Sequence, residues 1–232
     1  MARTQGELLE LVRDEADDPD PYPNGRYSDE EIRRWLNRAA REIARMSECL
    51  RDKDSIDIIA ETAVYVIPES YNLLRIYRVE YERDDRVKPL DYNPPYNADM
   101  LWGNRPTQAG PTPSIWTSWD TPPHLAVQIF PVPPTAAGKL NIWFYRYPDD
   151  LATDGTDADE PLDLPAGWED VTVPYVMAQI AKKDGDHRRY GIASEEFQRQ
   201  LASLVASTAH FTDQSPGQML PNSTLPHSWP YW

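Results

Sequence analysis

Residues 28–51, SDEEIRRWLNRAAREIARMSECLR, combine a helix start signal with a long apolar period. Ser28 and Glu31 have capping-box spacing, and the acidic residues between them suit the positive end of the helix dipole. Apolar residues then recur every three or four positions from Ile32 to Leu50, with arginines on the other faces. The stretch predicts an amphipathic helix over 28–51 that packs one face into a helical core.

Helical patterns flank this element on both sides. Thr4 and Glu7 form another capping box, and the short helix that follows should end by the Asp-Asp-Pro-Asp-Pro run at 17–21. Toward the C-terminus, a helical stretch begins near 164–165, with Pro174 as either a kink or a late true start. A last helix is predicted over about 187–208. The chain therefore contains about four helices.

Between the helical segments lie short stretches rich in β-branched and aromatic residues, each bounded by proline, asparagine or glycine. The candidate strands are 64–67, 74–82, 115–119, 125–130 and 140–147. Within 74–82, simple alternation places Ile76 on the face opposite Val79 and Tyr81. Four to six such strands fit a small antiparallel sandwich or barrel.

These patterns divide the chain into four parts. They are an N-terminal helical part (1–54), a β-rich insertion (55–150), a C-terminal helical part that completes the bundle (151–211), and an extended tail rich in proline and aromatic residues (212–232). A solvated acidic linker is expected at 149–160. The predicted fold class is α+β, a helical bundle of about four helices with an inserted antiparallel β-sandwich or barrel-like domain and an extended C-terminal tail.

Composition limits the classes of function. No apolar run approaches the roughly 20 residues of a membrane-spanning helix, and the first residues do not resemble a secretory signal. With 23 Lys and Arg against 38 Asp and Glu, the net charge of -15 disfavours a protein that grips DNA phosphates. An acidic wall would instead let a duplex slide past. The single cysteine, Cys49, cannot form an internal disulfide and is expected to be a packed thiol.

The strong signatures of cofactor, acyl-transfer, nucleotide and zinc chemistry are missing from the sequence. The four histidines are scattered, at positions 124, 187, 210 and 227. The carboxylates of the acidic linker lack the spacing of a calcium loop; they are Asp154, Asp157, Asp159 and Glu160. We therefore predict no catalytic, cofactor-binding or metal-binding residues and no enzymatic activity. A hydrolase that uses carboxylates of the insertion stays open, because sequence spacing cannot reveal a carboxylate pair.

Clustered tryptophans and tyrosines are candidates for contact with other molecules. The tail ends in three of them, Trp229, Tyr231 and Trp232, which we interpret as intermolecular anchors. Three more occupy the proline-rich part of the insertion, Trp102, Trp116 and Trp119. For these, contact with a partner and packing against their own sheet are both open. They would also suit a sugar-stacking platform, so a carbohydrate-binding β-domain of a tail or surface protein is an alternative function.

Several motifs resemble, in their order and spacing, those of the head-to-tail adaptor (connector) proteins of tailed bacteriophages, which form the ring below the portal. The motifs are YSDEEIRRWLNRAAREIA at 27–44, YVIP at 65–68, RVEY at 78–81, FPVPP at 130–134, YRYP at 145–148 and LP at 164–165. The resemblance covers about residues 5–205, and it depends on these motifs taken together.

The resemblance implies a structural virion protein at the head-tail junction, assembled in the host cytoplasm and without a cofactor. It implies a homo-oligomeric ring, typically of twelve copies, that binds the portal protein and a tail tube or nozzle protein. Genomic DNA would pass through the channel without specific binding. In this picture the tail anchors Trp229, Tyr231 and Trp232 dock on the portal or a neighbouring copy, and Trp102, Trp116 and Trp119 contact a tail partner.

Overall fold

The computed structural model describes residues 2–21, 23–95, 110, 112–119 and 125–212, without the side chains of 119 and 209–212. Over these residues the chain forms four α-helices and two four-stranded sheets. The predicted α+β class, a helical bundle with an inserted antiparallel β-sandwich, is confirmed. The predicted C-terminal tail lies outside the described residues.

The first helix, α1 (Gln5–Ala16), begins at the capping box that the sequence predicts. The Thr4 hydroxyl accepts from the Glu7 N–H at 3.2 Å, and the Glu7 carboxylate accepts from the Thr4 N–H at 3.0 Å. The helix ends at Asp17, which adopts a left-handed conformation with φ 53°. The predicted end within 17–21 is therefore confirmed.

The second helix, α2 (Asp29–Ser47), starts after Ser28 as predicted but is shorter than the expected 28–51. Glu48 takes a left-handed conformation with φ 50°, and its N–H donates to the Ala44 carbonyl at 2.9 Å. From Arg51 onward the backbone pairs in a strand instead. The apolar spacing of the sequence continues to Leu50, although the helical hydrogen bonds end near Glu48. The sequence pattern therefore overestimates the length of the helix.

The third helix, α3 (Thr172–Asp184), follows a short 3-10 turn at Glu169–Val171. Pro174 is therefore the third helical residue, where its missing N–H leaves no intrahelical bond unmade. Of the two predicted roles for this proline, the late true start is confirmed. Gly185, with φ 74°, ends the helix in the left-handed region that favours glycine.

The last helix, α4 (His187–Thr212), extends past the predicted end at 208 and packs mainly on α3. The four helices of the described residues share one hydrophobic cluster; its best-buried members include Leu8, Val12, Ile32, Leu36, Ile43, Val176 and Ile180. The acidic linker is attached to this bundle through its backbone. Its Glu160 carbonyl accepts from the Gln5 N–H at 2.9 Å, and the neighbouring Leu151 carbonyl accepts from the Asn37 amide at 2.7 Å.

The sheets are built from eight strands, β1 (Arg51–Asp57), β2 (Val64–Val66), β3 (Leu73–Arg83), β4 (Arg86–Pro89), β5 (Asp91–Tyr92), β6 (Ile115–Trp119), β7 (Ala126–Phe130) and β8 (Lys139–Arg146). The first sheet has the order β1-β8-β3-β4 and the second β2-β7-β6-β5. Every pair is antiparallel except β5 with β6. Inward side chains of both sheets form one core, separate from that of the helices.

β3 does not follow the simple alternation expected from its sequence, because it contains two register shifts opposite β8. Its inward side chains are Leu73, Ile76, Val79 and Tyr81. The prediction that Ile76 lies opposite Val79 and Tyr81 is wrong, since each extra residue at a bulge turns the following side chains to the other face.

Arg146, the last residue of β8, connects the sheets to the helical part. Its guanidinium pairs with Asp163 of the segment that precedes α3, and with Asp52 of β1 at 3.6 Å. Its backbone N–H donates to the Leu50 carbonyl at 3.1 Å. One side chain therefore ties an edge strand and the helical segment to the centre of the first sheet.

Candidate interaction surfaces

Trp116, one of the three tryptophans considered as partner contacts in the insertion, lies in β6 and is only 3 % exposed. Its ring centroid is 4.7 Å from that of Tyr92, and it belongs to the core between the sheets. Of the two interpretations open in the sequence, packing against its own sheet holds for Trp116, because a ring without exposed surface cannot anchor a partner.

The other candidate contacts stay predictions. Trp119 is the last residue of β6, and its side chain is not described. Trp102 lies in the segment 96–109, outside the described residues. The tail anchors Trp229, Tyr231 and Trp232 lie in the segment 213–232, which is also outside them.

A groove of about 640 Å³ runs between α1, α3 and α4, and we call it the helix groove. Its floor is apolar, formed by Leu11, Val173, Met177 and Ile192. Ile192 is 61 % exposed, and burial at the rim raises the pKa of the Glu15 carboxyl. The Arg3–Asp170 ion pair, at 2.8 Å, also lines the groove. Its size and apolar floor suit a peptide segment or a few apolar side chains.

The outer side of the first sheet carries a second surface, which we call the cation–aromatic face. It consists of Arg51, Lys53, Arg75, Tyr77, Arg78, Trp143 and Tyr145. Strand register brings these residues together. Arg51 and Arg75 both lie opposite Tyr145, and Lys53 and Arg78 both lie opposite Trp143. The aromatic side chains of β8 are thus flanked by cations from both neighbouring strands.

Tyr145 is the first centre of this face. The guanidinium carbons of Arg51 and Arg75 lie 5.5 and 5.3 Å from its ring centroid, and the Tyr77 ring lies 4.7 Å away. These contacts leave Tyr145 only 4 % exposed. Cation–π attraction holds the two guanidiniums at the ring, and the Arg51 side chain is otherwise exposed.

Trp143 is the second centre. The Lys53 ammonium lies 4.9 Å from its ring centroid, and its indole Nε1 donates to Glu80 at 3.0 Å. Glu80 is buried and also pairs with Arg78 at 2.5 Å. The charge of Glu80 is therefore already matched within the sheet and does not neutralise Lys53.

The charge balance of the face is positive. Arg75 pairs with Glu48 at 2.8 Å and Arg78 with Glu80. Among the described residues, neither Arg51 nor Lys53 has a carboxylate within ion-pair distance. Both stand on β1, an exposed edge strand whose charges also hinder pairing with a foreign strand. Arg51 and Lys53 thus place two cations without a carboxylate partner on the same side of one strand, in a chain with net charge -15.

α1 carries the opposite feature, an acidic stripe formed by Glu10, Asp14 and Asp17, all exposed. The nearby cation Arg13 points inward and is 5 % exposed. Like charges four residues apart destabilise a helix by about 0.2–0.5 kcal/mol. The last two carboxylates also lie at the negative end of the helix dipole. No ion pair within the described part of the chain compensates the stripe.

The titratable groups of the described residues bear on whether the chain could hold a metal ion. No group of three or more His, Cys, Asp or Glu side chains in them is placed to hold a metal ion. Burial raises the pKa of the Cys49 thiol, which is half-buried and packs against the helical core. The linker carboxylates of Asp154 and Asp157 accept N–H bonds from their own loop, at 3.0 and 2.6 Å. No described helix is long and apolar enough to cross a membrane.

Comparison with protein-family models matches residues 3–220 to the family described as SU10 adaptor protein. The matched range contains the helical bundle, both sheets and all the motifs that resemble phage head-to-tail adaptors, and that resemblance is confirmed. The tail anchors lie beyond residue 220, outside the match. No curated protein matches the chain.

Proposed function

The chain belongs to the SU10 adaptor protein family, and on this premise we propose that it is a head-to-tail adaptor whose ring joins the portal to the tail tube or nozzle. The observation that carries the proposal is the extent of the family match, residues 3–220, which includes both hydrophobic cores. As a phage adaptor, the protein is a structural component of the virion. The ring would form part of the channel through which genomic DNA leaves the head.

Ring formation by twelve copies would need two different lateral surfaces on each subunit, because a closed ring is built from head-to-tail contacts. The chain offers separate surfaces for contact with other molecules. The helix groove lies on the helical part, and the cation–aromatic face lies on the first sheet. Their separation supports a subunit that touches more than one neighbour.

The charge of the chain supports a channel through which DNA slides. At net charge -15, a ring of copies repels the duplex, and the potential decays over about 8–10 Å at physiological salt. Repulsion at this range keeps phosphates from adhering to the wall. We propose that the protein guides DNA without binding it specifically.

The tail is proposed to dock on the portal or on a neighbouring copy through Trp229, Tyr231 and Trp232. Aromatic side chains bury a large area for a small loss of rotamer entropy, which suits a segment that becomes ordered on binding. Trp102 and Trp119 are proposed as contacts for the tail tube or nozzle protein. The carbohydrate-binding alternative has lost one of its three platform residues, because Trp116 is buried.

Electron microscopy of the protein mixed with its portal tests the proposal. We expect a closed ring, with density for the helical part adjoining the portal. A chain truncated after residue 212 is the control for the tail, since it keeps both described cores and should bind the portal more weakly. If the full chain neither binds the portal nor occurs at the head-tail junction of the virion, the proposed function is wrong.

A further inference from the structure

We propose that the acidic stripe of α1 in one copy, Glu10, Asp14 and Asp17, docks on the cation–aromatic face of a second copy. The inference rests on the proposed function in one respect, that copies of the chain lie side by side. It specifies the two surfaces that meet. The contact joins carboxylates of one copy to cations that lie over aromatic rings of the other.

The cation–aromatic face is organised to receive an anion. Arg51 and Lys53 have no carboxylate partner in the described chain, yet the rings of Tyr145 and Trp143 already hold their charged groups at 5.5 and 4.9 Å. Holding a long side chain in place before binding reduces the entropy lost when a partner arrives. Since both cations project from an exposed edge strand, an incoming carboxylate can reach them without moving the sheet.

The carboxylates of the acidic stripe have no ion-pair partner in the described part of their own chain. Glu10 and Asp14 repel one another across one helical turn, and Asp14 and Asp17 face the negative end of the helix dipole. A bound cationic surface would remove both penalties. No ion pair within the described chain joins the stripe to the cation–aromatic face.

A contact between two different surfaces is heterologous, and repetition of such a contact builds a ring if the rotation between copies closes. Each copy would offer its stripe to one neighbour and its face to the other. A charged contact of this kind also raises the association rate and favours one orientation of the two copies. The same geometry therefore explains how an acidic chain associates with itself without a large apolar patch.

Charge complementarity favours a second copy over a nucleic acid as the occupant. Only Arg51 and Lys53 are unmatched on the face, so a phosphate backbone would gain few contacts there. The rest of the chain, at net charge -15, would repel it. A second copy instead brings three exposed carboxylates, two on α1 and one on the residue that ends it.

Two charge-reversal variants test the contact. The face variant carries Arg51→Glu and Lys53→Glu, and the stripe variant carries Glu10→Lys and Asp14→Lys. Self-association of each full-length protein is followed by sedimentation velocity over a concentration series at low salt. We expect the wild type to associate, with the association weakened by raised salt. Each variant alone should associate at least tenfold more weakly, because like charges then meet.

The equimolar mixture of the two variants is the decisive sample. The reversed face then meets the reversed stripe, and the wild-type stripe meets the wild-type face, so association should return to within about threefold of the wild type. Restoration also shows that both variants are folded. Two matched controls change the net charge equally at exposed positions elsewhere, Arg38→Glu with Arg188→Glu and Glu195→Lys with Asp159→Lys. They should associate like the wild type.

Four outcomes would overturn the inference. They are a wild type that does not associate at low salt, reversal variants that still do, a mixture that stays as weak as its components, and a face that binds a DNA duplex in place of a second copy. None of these bears on whether the protein occupies the head-tail junction, which electron microscopy of virions decides separately. Failure of this contact and failure of the proposed function are therefore distinguishable.

Discussion

The Nε of Arg13 in α1 donates to Oδ1 of Asp29, the first residue of α2, at 3.1 Å. The same guanidinium donates to the carbonyls of Asp18 and Asp20, both at 3.0 Å, and to that of Tyr27 at 3.1 Å. Its acceptors all come from the loop between the helices or from the residue that follows the loop. One buried side chain therefore fixes the conformation of the loop that connects α1 to α2.

Replacement of Arg13 should destabilise the helical part strongly. Arg13→Met leaves three carbonyls and the Asp29 carboxylate without this donor and removes the cation 3.7 Å from the Asp18 carboxylate, and we expect the free energy of unfolding to fall by about 3 kcal/mol. Urea denaturation measures the change. The control is Arg34→Met, which removes an exposed pair with Glu30 and should cost less than about 1 kcal/mol. Equal effects of the two variants would show that the loop does not depend on Arg13.

Alanine substitutions at Gly25 and Gly191 should change the free energy of unfolding in opposite directions. A Cβ at Gly25 would lie 1.7 Å from the Asp20 carbonyl oxygen, so the loop must open, and we expect Gly25→Ala to cost about 2–3 kcal/mol. A Cβ at Gly191, in α4, meets nothing within 4 Å. Gly191→Ala should therefore stabilise by about 0.5–1 kcal/mol through helix propensity. Denaturation midpoints that shift in the same direction would contradict this explanation.

Tyrosine ionisation should limit stability at high pH. Burial, and then a hydrogen bond to Asp54, raise the pKa of Tyr71 from 10.0 to about 12. Because the folded-state pKa exceeds the unfolded one, the folded state favours the protonated phenol. Its contribution is complete below about pH 10 and is lost as the pH rises to about 12.

The measurement is the free energy of unfolding in urea at a series of pH values, with phenolate absorbance followed in parallel. Tyr71→Phe should lose less stability over this window than the wild type does. Tyr27 makes the same kind of contribution, since burial and its bond to Asp184 also raise its pKa. A wild type whose stability is constant up to about pH 12 would contradict the assignment.

The helices could be predicted because their signals are local. The caps at Thr4 and Ser28 need only a residue three positions on, and the helix starts follow from them. β1 was not predicted, because its sequence RDKDSID has no apolar alternation and it becomes a strand only through pairing with β8. The bulges of β3 also depend on a partner strand, so the sequence of β3 alone cannot place them.

The interaction surfaces were harder to predict than the elements that carry them. The cation–aromatic face combines β1, β3 and β8, and only their register shows that Arg51 and Arg75 flank the same ring, that of Tyr145. The aromatic run in β8 was visible in the sequence, but not which side of the sheet it occupies. For Trp116 the sequence leaves partner contact and packing against its own sheet both open, and the pairing of β6 with β7 decides for packing.

Alanine substitutions at Trp116 and Trp102 should distinguish a core residue from a residue that contacts a partner. Trp116→Ala empties the core between the sheets, and we expect a loss of about 3–5 kcal/mol in the free energy of unfolding. Trp102→Ala should change stability by less than about 1 kcal/mol and weaken binding of the tail tube or nozzle protein, as a contact residue would. Thermal unfolding and a pull-down with the tail partner measure the two effects. A Trp102 variant as unstable as the Trp116 variant would refute the proposed contact.

Portal binding should weaken when the three terminal aromatic residues are replaced by alanine together. They are Trp229, Tyr231 and Trp232. Such side chains act as anchors because each buries a large surface on docking, so portal binding should weaken at least tenfold. The unfolding midpoint should stay unchanged, since both hydrophobic cores lie within residues 8–201. The matched control replaces three polar tail residues by alanine, Ser215, Asn222 and Ser223. If both triple variants bind the portal like the wild type, the contact is made by the folded part of the chain, and the tail is not its anchor.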